Sequence, residues 1–293
     1  NFKANGKFHE KLQLLITKEE YNKLEKIEKE LQSKAFTNYY VIRDKDIFLL
    51  IHCGDIGRNG FGGHGHNDQL SFVVSTKNKD YIIDPGTYCY TSDKQKRHLF
   101  RSTVYHNTIF VNNQEQNPIK EETPFDMEHK TKAICFQWQT NDIQDVFIGK
   151  HFAYTPNIIT REIHYDKRKK EIIMTDRLKE EANLELNLYL HPQTEIQGEK
   201  NKIILNKEIV IECELPPVIT SCLYSQEYGH LSETKRLTLK KKGNALLTKI
   251  YPLIKKEEYL IKIVKEEPKE KKRSKNTTKK AMKEGKNNEE EYY

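Results

Sequence analysis

The sequence predicts a mainly β protein, a large antiparallel β-sandwich preceded by one short helical segment. Two observations carry this. From Tyr39 onward, short runs rich in Val, Ile, Tyr, Phe and Leu follow one another, separated by turn residues such as Asp44-Lys45-Asp46. Helical periodicity occurs once, near the N-terminus. Many short strands with almost no intervening helix imply antiparallel sheets packed face to face.

The helical segment comes first. Thr17 and Glu20 have the spacing of a capping box, and Tyr21, Leu24, Ile27 and Leu31 recur at helical intervals among Lys and Glu, which predicts an amphipathic helix over Lys18–Gln32. The β runs then begin with Tyr39–Ile42 and Ile47–Ile51. Leu70–Ser75, Tyr81–Asp84, Thr108–Val111, Ala133–Gln137, Ile158–Tyr165 and Glu171–Thr175 follow. Leu184, Leu186, Leu188 and Leu190 alternate with Glu, Asn and Tyr, the period of a strand with one buried face. Ile203–Leu205, Ile209–Cys213, Leu237–Leu239, Leu246–Ile250 and Tyr259–Val264 complete the series. Beyond Val264 the chain turns to Lys, Glu, Asn and Thr with almost nothing apolar, the composition of a disordered segment. The expected organisation is a helical segment (1–35), a sandwich (36–264) and a charged tail (265–293). No internal repeat is visible.

Composition narrows the function classes. With 293 residues, 36% of them hydrophobic, the chain can bury a sizeable core. No run approaches the roughly 18 apolar residues of a membrane span, and the first residues lack the pattern of a signal peptide. A chain that opens on Asn1 is expected to be a fragment or a processed product. Ten Lys/Arg against seven Asp/Glu in Lys265–Tyr293 give that tail +3 of the net +7. The remaining charge is mild, so no nucleic-acid groove is demanded. Five widely spaced cysteines without a Cys-x-x-Cys read as buried thiols rather than a disulfide framework.

The chemistry concentrates between Gly62 and His106. His64-Gly65-His66-Asn67-Asp68 follows Gly57, Gly60, Gly62 and Gly63, a glycine density found nowhere else in the chain. In an extended segment His64 and His66 share a face, about 6–7 Å apart. Asp84 ends an apolar run before Pro85-Gly86, and His106 precedes the run at Thr108. Two histidines and a carboxylate from three strand ends suit zinc better than calcium or magnesium, which prefer oxygen alone. By spacing alone, a His-x-His loop is equally two solvated side chains, and Asp-Pro-Gly equally a turn. Asn67 and Asp68 could orient the histidines or form a turn. Arg101 could pair with a carboxylate ligand or with a structural partner.

Four blocks, in order and at similar spacing, resemble the C-terminal domain of the heparinase II/III family: Gly63-His64-Gly65-His66-Asn67-Asp68-Gln69-Leu70-Ser71-Phe72, Ile83-Asp84-Pro85-Gly86-Thr87-Tyr88-Cys89-Tyr90-Thr91, Phe100-Arg101-Ser102-Thr103 and His106-Asn107-Thr108. Gly149-Lys150-His151 with Tyr154, then Arg161-Glu162-Ile163 and Asp176-Arg177-Leu178, resemble the family's later strands. The resemblance implies a polysaccharide lyase that cleaves uronic-acid-containing chains by β-elimination, with zinc on His66, Asp84 and His106, and His64 as the catalytic histidine. It implies substrate contact at Tyr88, and Arg101 is the candidate to pair with a carboxylate of an acidic polysaccharide. It also implies a location in the cell envelope, periplasm or outside the cell. In the family a toroid domain carries the general base, and this chain has no room for it, so a non-catalytic polysaccharide-binding module is the alternative. A cupin-like metal enzyme is disfavoured, because no glutamate follows His66 at the required spacing.

Overall fold

The computed structural model describes residues 33–57, 60–76 and 79–253. The helix expected over Lys18–Gln32, the strand expected at Tyr259–Val264 and the charged tail lie outside the described residues.

A five-stranded antiparallel sheet is formed in sequence order by β1 (Lys34–Ala35), β2 (Tyr39–Arg43), β3 (Ile47–His52), β4 (Phe72–Thr76) and β5 (Lys79–Ile82). Burial alternates along β3 and β4, so Ile47, Leu49 and Ile51 face inward with Phe72 and Val74. Helix α1 (Lys94–Arg101) and a single 3-10 turn (Thr103–Tyr105) then lead to β6 (Ile109–Val111). The remaining strands are β7 (Ala133–Thr140), β8 (Gln144–Tyr154), β9 (Asn157–Asp166), β10 (Glu171–Tyr189), β11 (Ile196–Glu199), β12 (Lys202–Leu205), β13 (Ile209–Cys213), β14 (Val218–Tyr224) and β15 (Ser232–Pro252). Together with β6 they form a ten-stranded sheet in the order β11-β12-β13-β15-β10-β9-β8-β7, with β6 added on β10 and β14 on β15. Inward-facing residues of both sheets, among them Leu49, Phe72, Val74, Phe147, Ile163, Leu186 and Leu239, make one continuous core. The fold is the expected antiparallel sandwich.

Three departures from the sequence reading have physical causes. β10 and β15 are single long strands where the apolar runs suggested two each. In β10 the ladder to β15 shifts register between Arg177 and Ala182, and Lys179–Glu181 there are exposed, so the apolar signal lapses while the backbone stays extended. Helix α1 was not anticipated because its buried side chains are Arg97, Phe100 and Arg101; a stripe made largely of arginine carries no apolar period. Its N-cap is sound, since Asp93 Oδ1 accepts from the Lys96 N–H at 3.0 Å. β14 is an edge strand with no fully buried residue, and it too lacked a signal.

Asn107 and Arg161 tie the sheets to the segments that bear the histidines. Asn107 Nδ2 donates to the carbonyls of Phe72 and Ile83, both at 2.8 Å, and its Oδ1 accepts from the Tyr189 N–H at 2.8 Å. One buried amide thus joins β4, the end of β5 and β10. Arg161 on β9 makes a two-pronged ion pair with Asp176 on β10, at 2.7 and 2.9 Å, and its Nη1 donates to the carbonyls of Leu70 and Asn107. Both side chains of the pair are buried, yet every charged oxygen of Asp176 is met, which is the condition for keeping such a pair inside.

Candidate active site at the glycine-rich loop

The loop between β3 and β4 carries both histidines of the His-x-His pair. Its glycines permit its path. Gly57 has φ +49°, and a side chain there would meet the Phe61 carbonyl at 2.1 Å. Two arginines of α1 tie this loop to the β6–β7 connection through backbone carbonyls: Arg101 donates to Gly62 O and Pro124 O, each at 2.7 Å, and Arg97 donates to Gly63 O and Pro124 O, each at 3.2 Å. Arg101 is therefore turned into the protein, fully buried, with its fork engaged by backbone rather than facing a cleft.

A buried polar network lies beneath the loop. Asn67 Nδ2 donates to Glu115 Oε2 at 2.7 Å and to the Asn117 carbonyl at 2.8 Å, while its Oδ1 accepts from the Asn117 N–H at 3.0 Å. Glu115 Oε2 also accepts from the N–H and hydroxyl of Thr103, both at 2.7 Å. Gln69 donates to the carbonyls of Gly54 and Thr131, and Gln116 receives its backbone N–H. Asn67, Gln69, Gln116 and Asn117 are wholly inaccessible, so the run after His66 is a fixed footing rather than a solvated turn.

On this footing the histidines diverge in character. His64 is exposed and unbonded, its ring edge-on to Tyr90 at 5.0 Å and Phe125 at 5.8 Å. His66 packs inward: Arg97 Nη1 donates to its Nε2 at 2.9 Å, and its ring lies 5.1 Å from that of His106. Burial and the neighbouring His106 push the His66 pKa down to about 3, so the ring is neutral. His106 is completely buried; burial disfavours its cation, but the carboxylate of Asp84, accepting from its Nδ1 at 2.7 Å, outweighs that and raises its pKa. Asp84 also accepts from the Gly86 N–H at 2.9 Å, which fixes it at the turn. Asp68 stands nearby; despite burial, His52 at 3.2 Å holds its carboxyl well below the usual range.

His66, Asp84 and His106 are thus brought near one another from three segments. They do not close round one point as they stand, since Asp84 lies on His106 and Arg97 on His66. Among the described residues, no group of three or more His, Cys, Asp and Glu side chains is arranged to hold a metal ion. One feature fits a metal: His106 Nε2 is buried and has no hydrogen-bond partner, while a carboxylate fixes the opposite ring nitrogen. With the neutral His66 ring beside it, this donor set suits zinc.

Tyr88 has a left-handed backbone, φ +62°, and its ring lies against Phe100 at 5.9 Å with Lys96 Nζ 5.7 Å from its centroid. Sequence reasoning passed over Arg97, Glu115, Gln116, Asn117 and Tyr228. None of these carried a sequence signal: Arg97 shares a helical face with Phe100 and Arg101 that has no apolar period, and the Glu-Gln-Asn run and Tyr228 match no motif. The five cysteines are free, as read, but of the expected buried thiols Cys53, Cys89 and Cys213 are buried while Cys135 and Cys222 are half-buried.

Comparison with known proteins agrees with this fold. No curated protein matches the chain in sequence. Among solved structures, a heparinase III gene product with methylated lysines superposes with a TM-score of 0.63 at 17% identity, over 76% of this chain and 36% of the other. The heparan sulfate lyase HepC from Pedobacter heparinus gives 0.62 at 19% identity, again over 76% and 36%. The chain therefore corresponds to about a third of the length of these enzymes, and at such identities the likeness is one of fold. The family model for the heparinase II/III-like C-terminal domain matches residues 28–267. The chain belongs to the heparinase II/III-like family, through that C-terminal domain.

Proposed function

We propose that this chain is the sandwich portion of a polysaccharide lyase that cleaves uronic-acid-containing chains by β-elimination at His64. The observation that carries the reading is the contrast within His64-Gly65-His66: one ring exposed beside aromatic side chains, the other half-buried and turned inward against His106. Membership of the family, and solved relatives that are heparinases, support the substrate class.

β-Elimination removes the proton next to a uronate carboxylate, which builds negative charge on a group already ionised. A donor facing that carboxylate lowers the barrier. His64 is free to donate, and the buried network below it holds its backbone in place, so little ordering remains to be done when substrate arrives. His66, Asp84 and His106 would hold zinc, which when bound pins the loop and fixes the orientation of its histidines. The general base and the opposite wall of the cleft belong to the toroid domain. Heparinases of the length compared above leave ample chain for it, since this chain covers 36% of them.

The test is direct. This chain, joined to the toroid domain that supplies the base, is incubated with heparan sulfate and with alginate, and the unsaturated uronate product is followed by its ultraviolet absorbance. Product that disappears in His64→Ala supports the lyase. Binding of either polymer without product, lost in the same variant, supports a carbohydrate-binding module instead. Neither binding nor product refutes both.

A further inference from the structure

Beside His64 the surface carries an aromatic row that the proposed reaction has not used. Tyr90 lies nearly parallel to Phe125, centroids 5.8 Å apart at 23°, and nearly parallel to Tyr228, 5.7 Å apart at 27°. His64 meets both Tyr90 and Phe125 edge-on. The guanidinium of Arg97 lies 4.8 Å from the Tyr90 centroid, which fixes that ring from within the protein. These rings come from three connections: the one after β5, the one between β6 and β7, and the one between β14 and β15.

Tyr228 is the outermost. It remains 66% exposed, although tyrosines usually bury much of their ring. Its loop is nevertheless well held. The Gly229 N–H donates to the Tyr88 carbonyl at 2.7 Å, and the Ser225 N–H donates to the Pro85 carbonyl at 2.8 Å. Within the loop, Ser225 Oγ donates to the Glu227 carbonyl at 2.8 Å and the His230 N–H to the same carbonyl at 3.1 Å. Gly86 makes the approach possible: at φ +88°, a side chain there would meet the Ser225 carbonyl at 2.1 Å. The fold thus clips the β14–β15 connection to the segment bearing Asp84 and Tyr88, and leaves an exposed ring at its tip against the same Tyr90 that His64 meets.

We infer that Tyr228 is a positioning residue for the carbohydrate: the row Phe125–Tyr90–Tyr228 is a stacking platform, and the exposed ring of Tyr228 takes the apolar C–H face of a pyranose next to the sugar at His64. This rests on the function proposed above. A sugar ring offers hydroxyls at its rim and C–H groups on its faces, so a fixed aromatic ring recognises its orientation without distinguishing charge. Because the loop is already held, little entropy is lost on binding.

The experiment uses the full chain and the heparan sulfate or alginate oligosaccharide that binds it more tightly, titrated by calorimetry against wild type, His64→Ala, Tyr228→Ala and Tyr228→Phe, with the melting temperature of each. Tyr228→Ala should weaken binding about tenfold, with Tyr228→Phe within about threefold of wild type and melting unchanged. Equal losses in the Ala and Phe variants overturn the stacking role. Undiminished binding by Tyr228→Ala, where His64→Ala binds weakly, overturns the inference while leaving the proposed function standing, and points to the row as a protein-packing surface. No binding by wild type refutes the proposed function and this inference together.

Discussion

The core between the two sheets and the polar footing under the histidine loop are equally dry and are held by opposite means. Between the sheets, Leu49, Val74, Phe147, Leu186 and Leu239 exclude water by area alone, and any side chain of similar volume would serve roughly as well. Under the loop, Asn67, Gln69, Gln116 and Asn117 are just as inaccessible, but each is fixed by directed hydrogen bonds. The first arrangement stabilises the fold and tolerates drift. The second fixes the position of a few backbone atoms, which is what a site needs.

The largest expected effect lies where the two regions meet. Arg161→Ala should cost about 3–5 kcal/mol in denaturant unfolding, because it strands the buried Asp176 carboxylate and frees the carbonyls of Leu70 and Asn107. A loss below about 1 kcal/mol would mean that the pair is not buried in solution. Next, Leu49→Ala and Asn67→Ala should be set side by side. The first should cost about 2–5 kcal/mol and leave the His64 and His66 imidazole NMR signals in place. The second should cost about 1–3 kcal/mol and shift both. If Leu49→Ala moves those signals as much as Asn67→Ala does, the two regions are not separate.

A pH titration sharpens the contrast further. His151 on β8 is wholly buried, and burial, then the nearby Arg161, push its pKa down to about 3. The unfolded chain takes up this proton near pH 6.5 and the folded chain does not, so the contribution is complete above about pH 6.5 and is lost as pH falls towards 3. At pH 5 the loss should reach about 2 kcal/mol, and His151→Leu should remove that part of the acid dependence. The smallest effect belongs to His64→Ala, under about 0.5 kcal/mol of stability, since the ring is exposed and bonded to nothing.

These two kinds of order also set what the sequence could reveal. Alternation marks a strand with one wet face, so the second half of β10 was plain, and β3 and β9 were plain as runs rich in β-branched, aromatic and leucine residues. β8, with Val146, Phe147, Ala153 and Tyr154 buried among polar neighbours, was visible only through the family resemblance. Helix α1 hides because arginines fill its inner face. In the site, His64, His66, Asp84 and His106 were legible as rare residue types in a glycine-rich setting. Glu115-Gln116-Asn117 were not, because a polar run that is buried reads the same as one that is solvated. Arg101 was legible as a charge near the site, but its direction, into the Gly62 and Pro124 carbonyls, depends on a helix no periodicity announced.

The proposal most open to test is that His66, Asp84 and His106 would together hold a zinc ion that organises the loop presenting His64. Metal analysis of the purified chain after dialysis against metal-free buffer tests it most directly, with wild type beside His66→Ala. About one zinc per chain in the wild type, and under about a tenth of that in the variant, is the predicted result. A wild-type chain that retains no zinc, or a variant that retains as much as wild type, would contradict the claim and leave the loop held by hydrogen bonds alone.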